Sequence, residues 1–293
     1  MDEKNTRIGY DKINKENGGG ESMRIISICP SNTELLAFIK AEHLLVGIDD
    51  YSDWPKQITH LPRLGPDLDI RMDELEALKP DLVLASLSVP GMEKNVDQLI
   101  QRKIPHLVLD PQSLDDIAED LLTVGIACGI DAGPIHTEYL AIIEELKRRS
   151  AQTADRPSLY WEWWPKPVFT PGGVNWLTEI SEIAGGRNIF ADTDSANIQT
   201  DWEDVRKRDP DYILLAWVGI MTSKVKPELV RKRPAWNEMK AYNEIHIMEE
   251  ELYCRPSPRL IEGALKLGKL IHPEIFEDME LPSFIRTQQN ETI

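Results

Sequence analysis

The chain has 293 residues, of which 41% are hydrophobic, and its 33 basic against 50 acidic side chains give a formal charge of −17. That length accommodates two domains of ordinary size with a core each. The acidic excess is spread along the chain, so the phosphates of nucleic acid and anionic membrane surfaces would be repelled, and no run of about 18 apolar residues exists to make a membrane-spanning helix.

The first 22 residues are polar, with neither the apolar core of a signal peptide nor a lipidation cysteine, and read as a disordered extension. Gly18-Gly19-Gly20-Glu21 can be encoded by purine-rich codons resembling a ribosome-binding site, which makes Met23 a candidate start. A cytoplasmic protein is expected on this reading, and an extracytoplasmic one only if it is exported by an unseen route.

Residues 24–29 predict a strand, with Pro30-Ser31-Asn32-Thr33 as polar cap candidates for a helix over 34–40. A strand over 44–48 leads into the polar exit loop 49–54. A helix over 73–78, a strand over 81–85, a helix over 93–102 and a strand over 106–109 follow. Ser113 opens a helix to about residue 128, with Asp116 three positions on as an approximate capping box. This βαβα order predicts a parallel sheet with helices on its faces, occupying 23–131.

From 132 to 154, Ile135, Tyr139, Leu140, Ile142, Ile143 and Leu146 recur at helical spacing. Such a helix would join the two lobes as a rod of about 27 Å. The second lobe, 155–285 with a tail over 286–293, starts with a strand over 158–162. A helix over 176–184 stops at Gly185-Gly186. A helix over 203–208, strands over 211–217 and 245–248, and a helix over 258–270 complete it. The fold class is therefore α/β, two Rossmann-like lobes joined by a single long helix.

An internal repeat supports two related lobes. Asp73-Glu74-Leu75-Glu76-Ala77-Leu78-Lys79-Pro80-Asp81-Leu82-Val83-Leu84-Ala85 and, 130 positions later, Glu203-Asp204-Val205-Arg206-Lys207-Arg208-Asp209-Pro210-Asp211-Tyr212-Ile213-Leu214-Leu215 each read as an acidic helix start, a proline stop and a buried strand.

Seven of the eight tryptophans fall in the second lobe, three of them in Tyr160-Trp161-Glu162-Trp163-Trp164-Pro165. Ligands of open parallel sheets bind outside the carboxyl ends of the strands. Trp163, Trp164 and Trp217 would sit there in the second lobe, with Trp54 and Ser86 at the equivalent edge of the first. Aromatic rings in such places make flat apolar walls for a large ligand.

Catalytic signals are sparse. The histidines show no HxxxH or HxH spacing, the cysteines Cys29, Cys128 and Cys254 no CxxC, and no P-loop or GxSxG occurs, so neither a metal site nor an enzyme is expected. An odd cysteine count without a framework suggests a reducing compartment, and Arg255 beside Cys254 could lower the pKa of that thiol.

The runs Leu45-Val46-Gly47-Ile48-Asp49-Asp50-Tyr51-Ser52-Asp53-Trp54-Pro55, Leu75-Glu76-Ala77-Leu78-Lys79-Pro80-Asp81-Leu82-Val83, Gly185-Gly186-Arg187-Asn188-Ile189-Phe190 and Arg255-Pro256-Ser257-Pro258-Arg259 resemble the vitamin B12-binding proteins of bacterial cobalamin ABC importers. More broadly they resemble the helical-backbone periplasmic binding proteins for cobalamin, ferric siderophores and haem. The resemblance spans about residues 24–272 and implies two Rossmann-like lobes on one long helix, with a ligand held in an interlobe cleft. It implies that Tyr51 lines the first lobe's side, that Trp161, Trp163, Trp164 and Phe169 belong to the first strand of the second lobe and its exit, and that Arg255 contacts ligand. Asp73, next to Glu74, falls where relatives dock on an ABC permease.

Ser86 and Asp67 stand where cobalamin binders carry aromatic residues, with Trp54, Trp163 and Trp164 offering aromatic surface instead. The reading is a monomeric binding protein without intrinsic cofactor, for cobalamin or a related corrinoid, serving a transporter or acting as an intracellular carrier. A ferric siderophore or haem is the alternative ligand. A cytosolic enzyme on the same scaffold, using Glu162 or Cys254, is the third reading.

Overall fold

A computed structural model describes residues 22–282 and 285. Of the extension expected over 1–22, all but Ser22 lies outside the described residues, as does the tail over 286–293. The chain divides into two compact units, one comprising residues up to Pro111 with Asp116–Thr137, the other Gln112–Asp115 and the residues from Glu138 onward.

The first unit is built on four parallel strands, β1 (Ile25–Ser27), β2 (Leu45–Ile48), β3 (Leu82–Ser86) and β4 (His106–Leu109), in the order β2-β1-β3-β4. All five residues of β3 are buried. A parallel strand covered on both faces needs such a continuous apolar run in place of alternation. Helices α1 (Pro30–Phe38), α2 (Met72–Ala77), α3 (Glu93–Arg102) and α4 (Leu114–Cys128) follow the strands in turn.

Helix α1 begins four residues before the sequence suggested, because Pro30 takes the first helical position and Cys29 becomes the N-cap. Asn32 and Thr33, expected as caps, point inward: the Asn32 amide donates to the Ala85 carbonyl at 2.9 Å and the Thr33 hydroxyl to Ser27 Oγ at 2.8 Å.

The 18-residue helix α5 (Gly133–Ser150) passes from the first unit into the second, between Thr137 and Glu138. Tyr139, Ile142, Ile143 and Leu146 are its buried stripe, the spacing that predicted it.

The second unit has a parallel sheet of β5 (Ser158–Glu162), β8 (Arg187–Asn188), β10 (Tyr212–Leu215) and β11 (Ile245–Ile247), ordered β11-β10-β5-β8. Beside it lies an antiparallel sheet that periodicity did not indicate: β6 (Trp164–Pro165), β7 (Val168–Pro171) and β9 (Asn197–Thr200), in the order β6-β7-β9. Prolines lack the ladder donor, and β6 tolerates Pro165 because it is a two-residue edge strand where a missing N–H costs little. Helices α6 (Trp176–Ile183), α7 (Trp202–Arg208), α8 (Glu228–Arg231), α9 (Glu250–Tyr253), α10 (Leu260–Ile271) and α11 (Pro273–Phe276) complete the unit. Asn175 caps α6 by accepting from Leu177 N–H at 2.9 Å.

The repeat survives at the level of single hydrogen bonds. Helices α2 and α7 both end on a left-handed residue directly before the proline, Lys79 at φ 50° and Asp209 at φ 43°. The next residue, Asp81 or Asp211, accepts the N–H that opens the neighbouring strand: Arg24 N–H to Asp81 at 2.8 Å, and Ser158 N–H to Asp211 at 2.8 Å. Leu75 and Val205, equivalent in the two copies, are both fully buried.

Candidate functional site

The carboxyl edge of the first sheet is held by a buried carboxylate. Asp49, fully buried one residue beyond β2, accepts from Tyr51 N–H at 2.7 Å, from Ser52 N–H at 3.0 Å and from the Ser52 hydroxyl. Ser52 Oγ lies 2.7 Å from Thr33 Oγ1, and Arg63 donates to the Asp49 and Ser52 carbonyls at 3.0 and 2.5 Å. Burial pushes the Asp49 carboxyl up to about 6, against these hydrogen bonds, which favour its ionised form.

The loop so fastened presents Tyr51, which is 50% exposed. Trp54 is half-buried, its ring tilted against Phe38 at 5.8 Å. Ser86 faces inward: it is buried, donates to Ser88 Oγ at 2.9 Å and accepts from Ser88 N–H at 3.1 Å, which turns the chain at the end of β3. Its hydroxyl is occupied in local structure and contributes no exposed surface. Asp73 and Glu74, by contrast, stand out on α2, paired at 2.6 Å with Arg102 and at 2.8 Å with Arg71. Exposed pairs of this kind contribute little stability.

At the carboxyl edge of the second sheet the fully buried Glu162 gathers three partners. The Tyr160 hydroxyl donates to it at 2.9 Å, the Trp217 indole at 3.2 Å, and the Arg233 guanidinium through two N–H groups at 2.5 and 3.0 Å. Arg233 also lies over the Trp202 ring at 4.9 Å. Burial acts to lower the Arg233 pKa, and the bonds and charge of Glu162 outweigh it and raise it. Burial, with the Glu162 charge beside it, raises the Tyr160 phenol well above its ordinary value. A carboxylate so committed is a structural anchor, not an acid or base with a free lone pair.

The aromatic residues of this region separate into core and surface. Trp161 is fully buried, its ring tilted against Tyr253 at 5.3 Å and its indole donating to Ser181 Oγ at 2.8 Å. With no exposed area its ring is core, contrary to the expectation of a ligand wall. Burying it contributes on the order of 4–6 kcal/mol by area. Trp217 is only 6% exposed and its indole is spent on Glu162, so it too belongs mainly to the core.

Trp163 is half-buried on the Trp176 ring at 5.5 Å, and its indole N–H finds no partner among the described residues. Trp164 is 40% exposed, its indole donating to the Lys166 carbonyl at 3.1 Å, and Phe169 opposite it in the β6–β7 ladder is half-buried. Val218 N–H reaches the Trp163 carbonyl at 3.2 Å, so the β6–β7 hairpin borders the exit of β10.

Arg255 is 8% exposed and its guanidinium meets Glu250 at 2.9 and 3.0 Å. The structure thus pairs Arg255 with a nearby acid, where the resemblance implied a contact with ligand. Cys254 lies buried, its thiol on the Ala216 carbonyl at 3.3 Å. Burial and the Glu250 charge raise its pKa well above the ordinary value despite Arg255, reversing the activation expected from that neighbour. Cys29 is likewise pushed up to about 12 by burial. No group of three metal-ligating side chains occurs among the described residues.

Asp49 and Arg233 are the members that reading the sequence missed. Asp49 sits in a polar loop where any carboxylate looks solvated, and Arg233 ends a run, Arg231-Lys232-Arg233, that reads as a charged surface. The approach of Arg233 to a strand 71 residues away leaves no local signal.

A sequence model of the family described as periplasmic binding protein matches residues 25–249. Among curated relatives, an ABC transporter substrate-binding lipoprotein of Bacillus subtilis, itself uncharacterized, is 27% identical over 269 residues, covering 88% of this chain and 82% of the relative. The vitamin B12-binding protein of Yersinia pestis is 29% identical over 250 residues, covering 83% and 84%. Among solved structures, S. aureus IsdE complexed with haem superimposes with a TM-score of 0.76 at 19% identity, covering 86% of this chain and all of that one, a likeness of fold.

The expectation of a cytoplasmic protein is overturned by these matches. It rested on the first 22 residues, whereas the match to a periplasmic family spans most of the chain and the B. subtilis relative is a lipoprotein. Nor do the cysteines require a reducing compartment, since Cys29 and Cys254 are buried.

Proposed function

The chain belongs to the periplasmic binding protein family, and from that premise we propose that it binds a corrinoid, cobalamin or a close relative, as the substrate-binding component of an ABC importer. The family consists of substrate-binding proteins, so the chain is a binding protein and not an enzyme.

The observation that carries the corrinoid reading is the aromatic hairpin at the carboxyl edge of the second sheet. Trp164 is 40% exposed, with Trp163 and Phe169 half-buried beside it. Large flat rings on a short, well-fastened hairpin suit a macrocycle, because covering apolar area contributes about 25 cal/mol per Å² and rigid aromatics lose little entropy. The vitamin B12-binding relative supports the same ligand class. On the first lobe, Tyr51 and Trp54 offer aromatic surface at the corresponding edge. Asp73 and Glu74, exposed on α2, are the surface for the permease.

Titration of the purified protein with cyanocobalamin, followed by tryptophan fluorescence, tests the reading. Saturable quenching is expected, weakened at least tenfold by Trp164→Ala; no quenching at micromolar ligand refutes it. Haem is the second reading, favoured by the exposed Tyr51 phenol, a residue type able to ligate haem iron. A Soret band that appears with haem and is lost in Tyr51→Phe would select it.

A further inference from the structure

Between β10 and β11 the chain leaves the carboxyl edge of the second sheet at Trp217 and is tied back to it at Arg233. Both residues are bonded to the same buried carboxylate, Glu162: the Trp217 indole at 3.2 Å and the Arg233 guanidinium at 2.5 and 3.0 Å. Residues 218–232 thus form a loop closed at its base by one side chain. Val225 and Val230 bury themselves in the core beneath it, so the loop is seated and not merely tethered.

Its composition departs from the rest of the molecule. In a chain of formal charge −17, residues 224–233 hold Lys224, Lys226, Arg231, Lys232 and Arg233 against the single acid Glu228, five cations to one anion. Cations elsewhere are repeatedly matched to local carboxylates: Arg71 to Glu74, Arg149 to Glu145 and Asp278, Arg206 to Glu203, Arg208 to Asp192, Lys266 to Glu249. Arg233 is matched to Glu162. Lys224, Lys226, Arg231 and Lys232 are exposed and make no ion pair among the described residues.

Four like charges within nine positions repel one another, and solubility does not require them in so acidic a protein. Just before them, Met221 is 59% exposed, with Val218 and Ile220 half-buried. The loop therefore runs from apolar to cationic along the edge where α/β sheets receive their ligands.

We propose that this loop is an anion-recognition site for an oxyanion carried on an apolar ligand, with Met221 and Ile220 against the ligand body and Lys224, Lys226, Arg231 and Lys232 facing its charge. Two sources supply that chemistry, the phosphodiester of a complete cobalamin and the carboxylates of haem. The inference rests on the ligand-binding reading above and adds to it the group recognised and the residues that recognise it.

The test compares the wild type with the variant K224Q/K226Q/R231Q/K232Q, using cyanocobalamin, cobinamide (a corrinoid without the phosphodiester) and haem as probes. If the phosphodiester is read, the variant binds cyanocobalamin roughly tenfold more weakly at low ionic strength, the difference shrinks as salt is added, and cobinamide binding is unchanged. If carboxylates are read, the same loss falls on haem. Should the variant fold poorly, the salt dependence of the wild type decides: binding of the probe whose oxyanion is read must weaken with added salt while that of cobinamide does not. Equal affinities of wild type and variant, or affinities insensitive to salt, overturn the inference while leaving the ligand-binding reading intact. A wild type that binds none of the three overturns both.

Discussion

Glu162→Gln is the substitution whose cost can be worked from the structure most directly. The wild-type carboxylate is fully buried and accepts four hydrogen bonds, two of them from a guanidinium that is 11% exposed. Glutamine keeps the shape but offers one carbonyl oxygen, and its amide meets a donor where an acceptor stood. One Arg233 N–H and either the Tyr160 hydroxyl or the Trp217 indole lose their acceptor, and the buried guanidinium loses its counter-charge. Removing one partner of a buried pair costs about 3–5 kcal/mol, while each charge-assisted bond is worth about 1.5–3 kcal/mol; the two routes agree on roughly 4 kcal/mol. Urea unfolding followed by tryptophan fluorescence is the suitable assay, because seven of the eight tryptophans lie in the second lobe. Adding Arg233→Met to Glu162→Gln should recover part of the loss, since the unpaired cation is then gone. A loss below about 1 kcal/mol in the single variant would refute the anchor and imply a solvated pair.

The first lobe should become less stable as the pH rises through the Asp49 titration. Its carboxyl stands at about 6 in the folded chain against an ordinary 3.8, so from about pH 4 to 6 the folded state holds the extra proton and stability falls with rising pH. The full change is roughly 3 kcal/mol, and Asp49→Asn, which keeps a carbonyl for the Tyr51 and Ser52 N–H groups, should flatten it in calorimetry; equal slopes in the two proteins would be contradictory. Asp211 behaves oppositely: burial raises its pKa, the Ser158 hydrogen bonds outweigh this and lower it, so Asp211→Ala should cost about 1 kcal/mol at pH 7, shrinking as acid protonates the wild type. Asp81→Ala, removing the equivalent bond in the first lobe, should cost a similar amount by the same assay. Iodoacetamide at pH 8 should leave Cys254 and Cys29 unmodified in the native protein, since both thiols are buried and their pKa values raised; prompt native-state labelling of Cys254 would contradict its placement.

Most strands of the parallel sheets were legible because they are apolar runs between helices that stop at proline or glycine, whereas the two-residue β8, Arg187–Asn188, is polar and gave no strand signal. The repeat was legible for a stronger reason: Pro80 and Pro210 are each preceded by a left-handed residue and followed by an aspartate that receives a neighbouring strand's N–H, so the same residues recur because the same bonds do. The β6–β7–β9 sheet was not legible, since Trp164-Pro165-Lys166-Pro167 carries turn chemistry and β9 is polar.

For the candidate site the tryptophan cluster located the right edge of the second sheet but could not sort its members. Trp161 and Trp164 are three residues apart, yet one is wholly core and the other 40% exposed, because β5 is covered on both faces up to Glu162 and the hairpin begins only beyond it. Glu162 stood out as an acid among aromatics, and its role depended on Arg233, whose approach comes from 71 residues away.

The central claim, a binding protein for corrinoids, is tested most directly by isothermal titration of the purified chain with cyanocobalamin. The account predicts saturable binding of one ligand per chain with a micromolar or tighter dissociation constant, lost or strongly weakened in Trp164→Ala. No heat of binding at ligand concentrations well above micromolar, with the protein folded by circular dichroism, would contradict it.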